Sequence, residues 1–173
     1  MNGTKKGAVK PMQMRYTDQV GKEQISDFFI RQWGDSKMVT SSGIYHCDML
    51  DGAAIVNDDG EILGLLTYVI LESECEIISL DSKIENHGIG SMLILEIETI
   101  ARRRKFPIIK LITTNDNLHA LGFYQKRGYR ITDIYVDAVD KARKIKPDIP
   151  LYASNGIGIR DEILLEKHLH IEE

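Results

Sequence analysis

Apolar positions change their period along this chain, and each change marks an element. Val20, Ile25, Phe28, Phe29 and Trp33 recur near the helical step, which predicts a helix over 19–33, after a short first strand at Pro11–Tyr16. The segment GDSKMVTSSG, 34–43, is rich in Gly and Ser and reads as a loop. The apolar runs AAIV and EILGLLTYVIL flank Asn57-Asp-Asp-Gly60, where Asp-Gly favours a tight hairpin turn. A short polar turn, 72–74, leads into CEIISL, 75–80, a buried strand.

Beyond it, Ile89, Leu93, Ile97, Ile100 and Ala101 form the buried stripe of a long helix ending near Lys105. Glu98 and Arg102 fall at i and i+4 on the side expected to be wet, and Arg102–Lys105 suit the negative end of the helix dipole. Pro107 resets the chain into the strand IIKLITT, Asn117 caps a helix over LHALGFYQKRGY, and Gly128 stops it. RITDIYVDAV, 130–139, reads as a strand and DKARKIK, 140–146, as a short helix ending at Pro147. DEILLEKHL, 161–169, stays open: propensity favours a helix, while the alternation of Ile163, Leu165 and Leu169 favours a strand. Hairpins first and a strand-helix-strand crossover later predict an α/β fold, a mixed sheet flanked by helices, in one domain over 11–173 behind a loose tail, 1–10.

Composition narrows the function. Hydrophobic residues make up 43% of the 173 and charged ones 28%, as in a folded domain, and the formal net charge is −4. That balance lacks the basic field that nucleic acid or an anionic membrane demands, so neither is an expected partner. Two distant cysteines, Cys47 and Cys75, fit a reduced, cytoplasmic protein. No apolar run long enough for a membrane span occurs, and the N-terminal stretch shows no apolar core of a secretion signal. The five histidines, His46, His87, His119, His168 and His170, form no ligand spacing, so no metal is expected.

The chemistry concentrates at EN-HGIGSML, 85–93, where a strand, a glycine turn and a helix follow one another. Such turns hold phosphate, because the first N–H groups of a helix have no intrahelical partner and carry the positive end of the dipole. Glycines at 88 and 90 leave the backbone open to close approach. A nucleotide P-loop would need Gly-Lys-Ser/Thr, but Gly90 is followed by Ser91 and Met92. A dinucleotide fold would need a third glycine where Leu93 stands, and an acid where the next strand ends in Ile112-Thr113-Thr114. The second glycine pair, Gly156 and Gly158, follows no apolar strand and reads as chance.

CEIISLDSKIENHGIGSML followed by NLHALGFYQKRGY resembles the GNAT superfamily of N-acetyltransferases. The first motif is carried by Gly88 and Gly90, the second by Asn117, Ala120, Tyr124, Gly128 and Tyr129. Glu85 stands where the family has Gln or Arg, and Asn86 where glycine is common; Glu85 is expected to face solvent. The resemblance is close over 60–131 and implies a mostly antiparallel sheet whose fourth and fifth strands run parallel and splay apart around acetyl-CoA.

It also implies site roles. Backbone donors over Asn86, His87, Gly88, Ile89, Gly90 and Ser91 would cradle the pyrophosphate. Ile78, Ser79 and Leu80 would pair with the pantetheine arm, with the Leu80 N–H near the acetyl carbonyl. Asn117 would hold that arm, and Tyr124 would face the departing thiolate. Glu76, with Glu74 as the alternative, occupies a strand position where the family carries a base. Trp33, Tyr45 and Tyr68 are candidate acceptor liners, each equally readable as core. The expected activity is acetyl transfer from acetyl-CoA to a primary amine by direct attack in a ternary complex. A small cationic amine is favoured, and a protein N-terminus or lysine, a longer acyl-CoA, a non-catalytic acyl-CoA-binding module and a homodimer remain open.

Overall fold

The computed structural model describes residues 11–171, so the expected tail over 1–10 lies outside the described residues. Its strands are β1 (Met12–Tyr16), β2 (Lys37–Thr40), β3 (Gly43–His46), β4 (Asp51–Asn57), β5 (Ile62–Leu71), β6 (Glu74–Ser82), β7 (Ile108–Thr114), β8 (Arg130–Tyr135) and β9 (Glu162–His168). The helices are α1 (Lys22–Trp33), α2 (Ile89–Arg103), α3 (Leu118–Gln125) and α4 (Ala138–Ile145). Seven strands form one sheet in the order β1-β4-β5-β6-β7-β9-β8, and β2 and β3 form a separate hairpin. Every neighbouring pair in the large sheet is antiparallel except β6 and β7, which α2 connects as a parallel crossover.

Strand alternation splits the core in two. One cluster carries Leu66, Tyr68, Cys75 and Ile77 against Ile89, Leu93, Ile94 and Ile97 of α2. The other carries Ala54, Val56, Leu65 and Ile78 against Ile25, Phe28 and Phe29 of α1. Burying each of those large α1 side chains contributes roughly 1.5–3 kcal/mol, which offsets the ordering of a helix too short to stand alone.

The structure departs from the sequence reading in three places. Residues read as loop fold into the β2–β3 hairpin, whose turn is held by side chains of distant strands. The open C-terminal segment is β9, inserted between β7 and β8, where alternation outweighs helix propensity because both flanking strands offer backbone partners. Glu98, expected on the wet side of α2, is 3% exposed, because β9 covers it and Lys167 Nζ donates to it at 2.7 Å. Among the described residues, no helix is long and apolar enough to cross a membrane, and no group of His, Cys, Asp and Glu could hold a metal.

Candidate active site

The parallel pair holds only from Glu74–Ile108 to Ile77–Leu111; β6 then runs on to Ser82 against β5 and β7 to Thr114 against β9, no longer paired with each other. The strands separate there, and a cavity of about 320 Å³ opens between them. A bulge in β6 starts the divergence. Thr67 faces Ser79 while Tyr68 faces Ile77, so Ile78 has no partner across the ladder. One extra residue inverts the parity of everything after it. Ile78 and Ser79 both turn toward α1, Ser79 meeting Thr67 hydroxyl to hydroxyl at 2.5 Å. Leu80 returns to the α2 side. Asp81 therefore points toward α1, where it accepts a hydrogen bond from Trp33 Nε1 at 3.1 Å.

A second cavity, about 370 Å³, lies between the β6–α2 turn and α3. Asn86 and Gly88 both take left-handed backbone, φ 60° and 75°, which explains why asparagine can replace glycine at 86. The helical ladder of α2 begins with Met92 N–H to Gly88 carbonyl at 3.0 Å, leaving the N–H groups of Ile89, Gly90 and Ser91 outside it. A Cβ at Gly88 would meet nothing within 4 Å, so that glycine serves conformation. At Gly90 the crowding comes from the protein itself: a Cβ would stand 3.1 Å from the Phe123 ring of α3. Arg127, which the sequence reading missed, donates to Ser91 Oγ at 2.5 Å, lies over the Phe123 ring and lines this cavity. Its only sequence signal is the basic pair before Gly128, equally readable as dipole compensation at a helix end.

Leu80, Asp81, Asn117, Ala120 and Tyr124 line both cavities, which makes them one bent groove with those residues at the corner. Asn117 caps α3 through its Oδ1, which accepts from Ala120 N–H at 3.1 Å. Tyr124 is buried at the corner, and burial first, then nearby Asp81, raises its phenol well above the ordinary value.

Three carboxylates lie on the α1 side of the sheet here: Asp81 and Glu162 line the splay cavity, and Glu76 sits before the strands part and lines neither cavity. Glu76 is 1% exposed; Ser42 Oγ donates to its Oε1 at 2.7 Å, while Oε2 has no hydrogen-bond partner. Burial raises its carboxyl above the usual range, and Ser42 and Lys110 oppose that. Glu162, also buried, accepts from Ser41 N–H at 2.8 Å. These two acids hold the β2–β3 turn over the splay. Asp81 is the third: burial pushes its carboxyl up to about 6, the Trp33 indole opposes, and its Oδ2 is buried without a partner.

A glycine-turned helix, a parallel pair that splays, and a tyrosine at the corner are the features expected from the sequence motifs. Residues 19–129 match the Acetyltransferase (GNAT) family. The chain belongs to the GNAT acetyltransferases. It is 59% identical over 153 residues to the uncharacterized protein YxbD of Bacillus subtilis (strain 168), spanning 88% of this chain and 96% of that one. Its fold is similar to an IAA acetyltransferase from Bacillus cereus ATCC 14579, with TM-score 0.68 and 20% identity over 92% of this chain and 100% of that one. It is also similar to a GNAT family acetyltransferase from Elizabethkingia anophelis with acetyl-CoA bound, with TM-score 0.62 and 22% identity over 91% of this chain and 98% of that one.

As a GNAT enzyme the protein uses acetyl-CoA as co-substrate, and the open backbone at Asn86–Ser91 beside Arg127 suits a pyrophosphate. The GNAT fourth and fifth strands are β6 and β7 here. The structure brings Ile78, Ser79, Leu80, Asn117, Tyr124 and Trp33 to the splay cavity, and the residues from Glu85 to Ser91 to the other. Glu85 is exposed at the cavity mouth, and His87 Nδ1 folds back on its carbonyl at 2.7 Å. Neither Glu74 nor Glu76 lines a cavity, since both lie before the strands part; Glu74 pairs with Lys110 at 2.5 Å, whereas Glu76 is buried beneath Ser42. Tyr45 sits in the hairpin, its hydroxyl 3.1 Å from Ser42 Oγ, off the cavity wall. Tyr68 is not an acceptor liner: it shares the α2 face with Leu66, and lines a separate outer cleft with Tyr16 and Arg104.

Asp81 predicts a pH effect on this GNAT domain. The fold keeps the proton to about pH 6, whereas the unfolded chain releases it near the ordinary 3.8. The stability this group contributes is therefore complete below the unfolded value and lost as pH rises through the folded one, about 3 kcal/mol in all. Asp81→Asn cannot ionise and should match the parent near pH 4 but exceed it by up to about that amount near pH 7.5. Urea unfolding at both pH values measures the difference, and a variant no more stable at neutral pH would contradict it.

Proposed function

We propose that this acetyltransferase moves the acetyl group to a primary amine by direct attack in a ternary complex, with a small cationic amine as the acceptor. The observation that carries the reading is the bent groove, which runs from a helix N-terminus to a splay with Tyr124 at the bend. The N–H groups over Asn86–Ser91, supported by Arg127, hold the pyrophosphate. The main chain of Ile78–Leu80 and the amide of Asn117 take the pantetheine arm. The Leu80 N–H polarises the acetyl carbonyl as negative charge develops on its oxygen. The acceptor enters between Trp33 and the β2–β3 hairpin. The acidic balance of the chain supports a cationic small molecule in the cytoplasm over nucleic acid or a membrane surface.

Attack requires a free amine, so a base must remove a proton. Glu76 suits that role better than Glu74, because its carboxylate is buried, its Oε2 is unpaired and its proton affinity is raised. Glu74 is engaged by Lys110. Release of CoA thiol from acetyl-CoA across a panel of primary amines tests the activity; no turnover beside tight acetyl-CoA binding would favour a non-catalytic binding module. With the best amine of the panel, Glu76→Gln should lower kcat near neutral pH and lose less at alkaline pH, where free amine is more abundant. An unchanged pH–rate profile would remove Glu76 from the mechanism.

A further inference from the structure

Asp81 stands at the corner shared by both cavities, and nothing in the cofactor-binding arrangement uses it. Its two oxygens have different surroundings. One is held by the Trp33 indole; the other, Oδ2, is buried and accepts from no protein donor. Among the described residues no cation pairs with it, and the groups that face it are the Trp33 indole from α1, the Tyr124 phenol from α3 and the Cys47 thiol after β3. A carboxylate taken out of water without a positive partner is costly, and proteins rarely keep one away from a site of binding or catalysis. The wall of the splay cavity completes the picture. It carries two acids, Asp81 and Glu162, and no lysine, arginine or histidine. Glu162 is engaged by Ser41 and Glu76 by Ser42. Glu76 also leaves one oxygen unpaired, but it lines neither cavity; of the two acids on the splay wall, Asp81 is the one whose buried oxygen has no protein partner.

We propose that Asp81, oriented by Trp33, binds the ammonium group of the acceptor through Oδ2 and selects cationic amines for this site. The inference rests on the acetyl-transfer reading, and it assigns Asp81 to recognition; Glu76, five residues earlier on β6 and roughly 15 Å away, does not touch the bound ammonium, so a proton passing to it travels through intervening water. Trp33 thereby has two tasks, a wall of the cavity and a donor that fixes the carboxylate.

The single tryptophan supplies the readout, since Trp33 is hydrogen-bonded to the residue in question. Emission of the CoA-bound protein is titrated near pH 7.5 with n-butylamine, which is protonated there, and with n-butanol, its neutral counterpart. A saturable change with n-butylammonium that n-butanol does not produce, weakened at least tenfold in Asp81→Asn while calorimetric CoA affinity stays within twofold, supports the proposal. Equal responses to the two probes, no saturable response to n-butylammonium, or an unaltered response in Asp81→Asn overturns it. The comparison of the two probes on the parent protein stands even where the variant folds poorly. A parent protein that binds no CoA would overturn the acetyl-transfer reading and this inference together; CoA binding with an unselective cavity overturns this inference alone.

Discussion

Gly90→Glu should abolish the rise in melting temperature that CoA and acetyl-CoA produce in the parent protein, with NAD and ATP raising it in neither. At ligand a hundred times above its Kd, binding stabilises by about 2.7 kcal/mol, worth roughly 5–10 °C for a domain of this size. Two effects remove it. The new Cβ would stand 3.1 Å from the Phe123 ring, so α3, which forms the other wall of the groove, must give way. The carboxylate then brings negative charge to the helix N-terminus, where a pyrophosphate would depend on free N–H groups and a positive dipole end. Gly90→Ala separates the two, because it crowds Phe123 without adding charge and should retain part of the shift. Normal acetyl-CoA binding by Gly90→Glu would mean that the phosphates lie elsewhere.

Tyr124→Phe should lower kcat and kcat/KM together, roughly ten- to a hundred-fold, and leave acetyl-CoA affinity nearly intact. The phenyl ring keeps its contacts with Phe123 and Tyr129, both edge-on in the α3 cluster, so the groove should hold its shape. What disappears is a hydroxyl at the corner of the groove, where the proposed reaction would build charge on sulfur as the C–S bond breaks. Burial and Asp81 raise the phenol far above a thiol near ~8.5, so complete proton donation to the thiolate is strongly uphill. In the proposed reaction its contribution would be a charge-assisted hydrogen bond made mainly in the transition state, worth about 1.5–3 kcal/mol. Steady-state kinetics beside calorimetric affinity measures both halves. Weakened binding with kcat unchanged would make Tyr124 a packing residue, and full activity with full binding would move the acid to another side chain.

Much of this site is written locally. The 3.6-residue stripe of α2, the glycines before it, the Asn117 cap and the Tyr124 spacing each depend on neighbours within a turn or two, so periodicity and the two motifs expose them. The family resemblance rests on the same short-range features, and the match over 19–129 agrees with it. What the sequence conceals is set by contacts across long separations. The β2–β3 hairpin looks like loop because its turn is polar, and it folds because Glu162 and Glu76, 121 and 34 residues away, hold Ser41 and Ser42. Glu98 occupies a wet position on a helical wheel, yet it is buried because β9 arrives from 69 residues on with Lys167. Tyr68 has the right chemistry for an acceptor wall but the wrong parity on its strand. Asp81 is the inverse case. Counting from a regular β6 sends it away from α1, and a single bulge at Ile78 turns it onto Trp33 and into the corner of the groove. Local order follows from residues a few positions apart; which carboxylate is buried, paired or left facing a cavity depends on the packing of elements that meet only when the whole chain has folded.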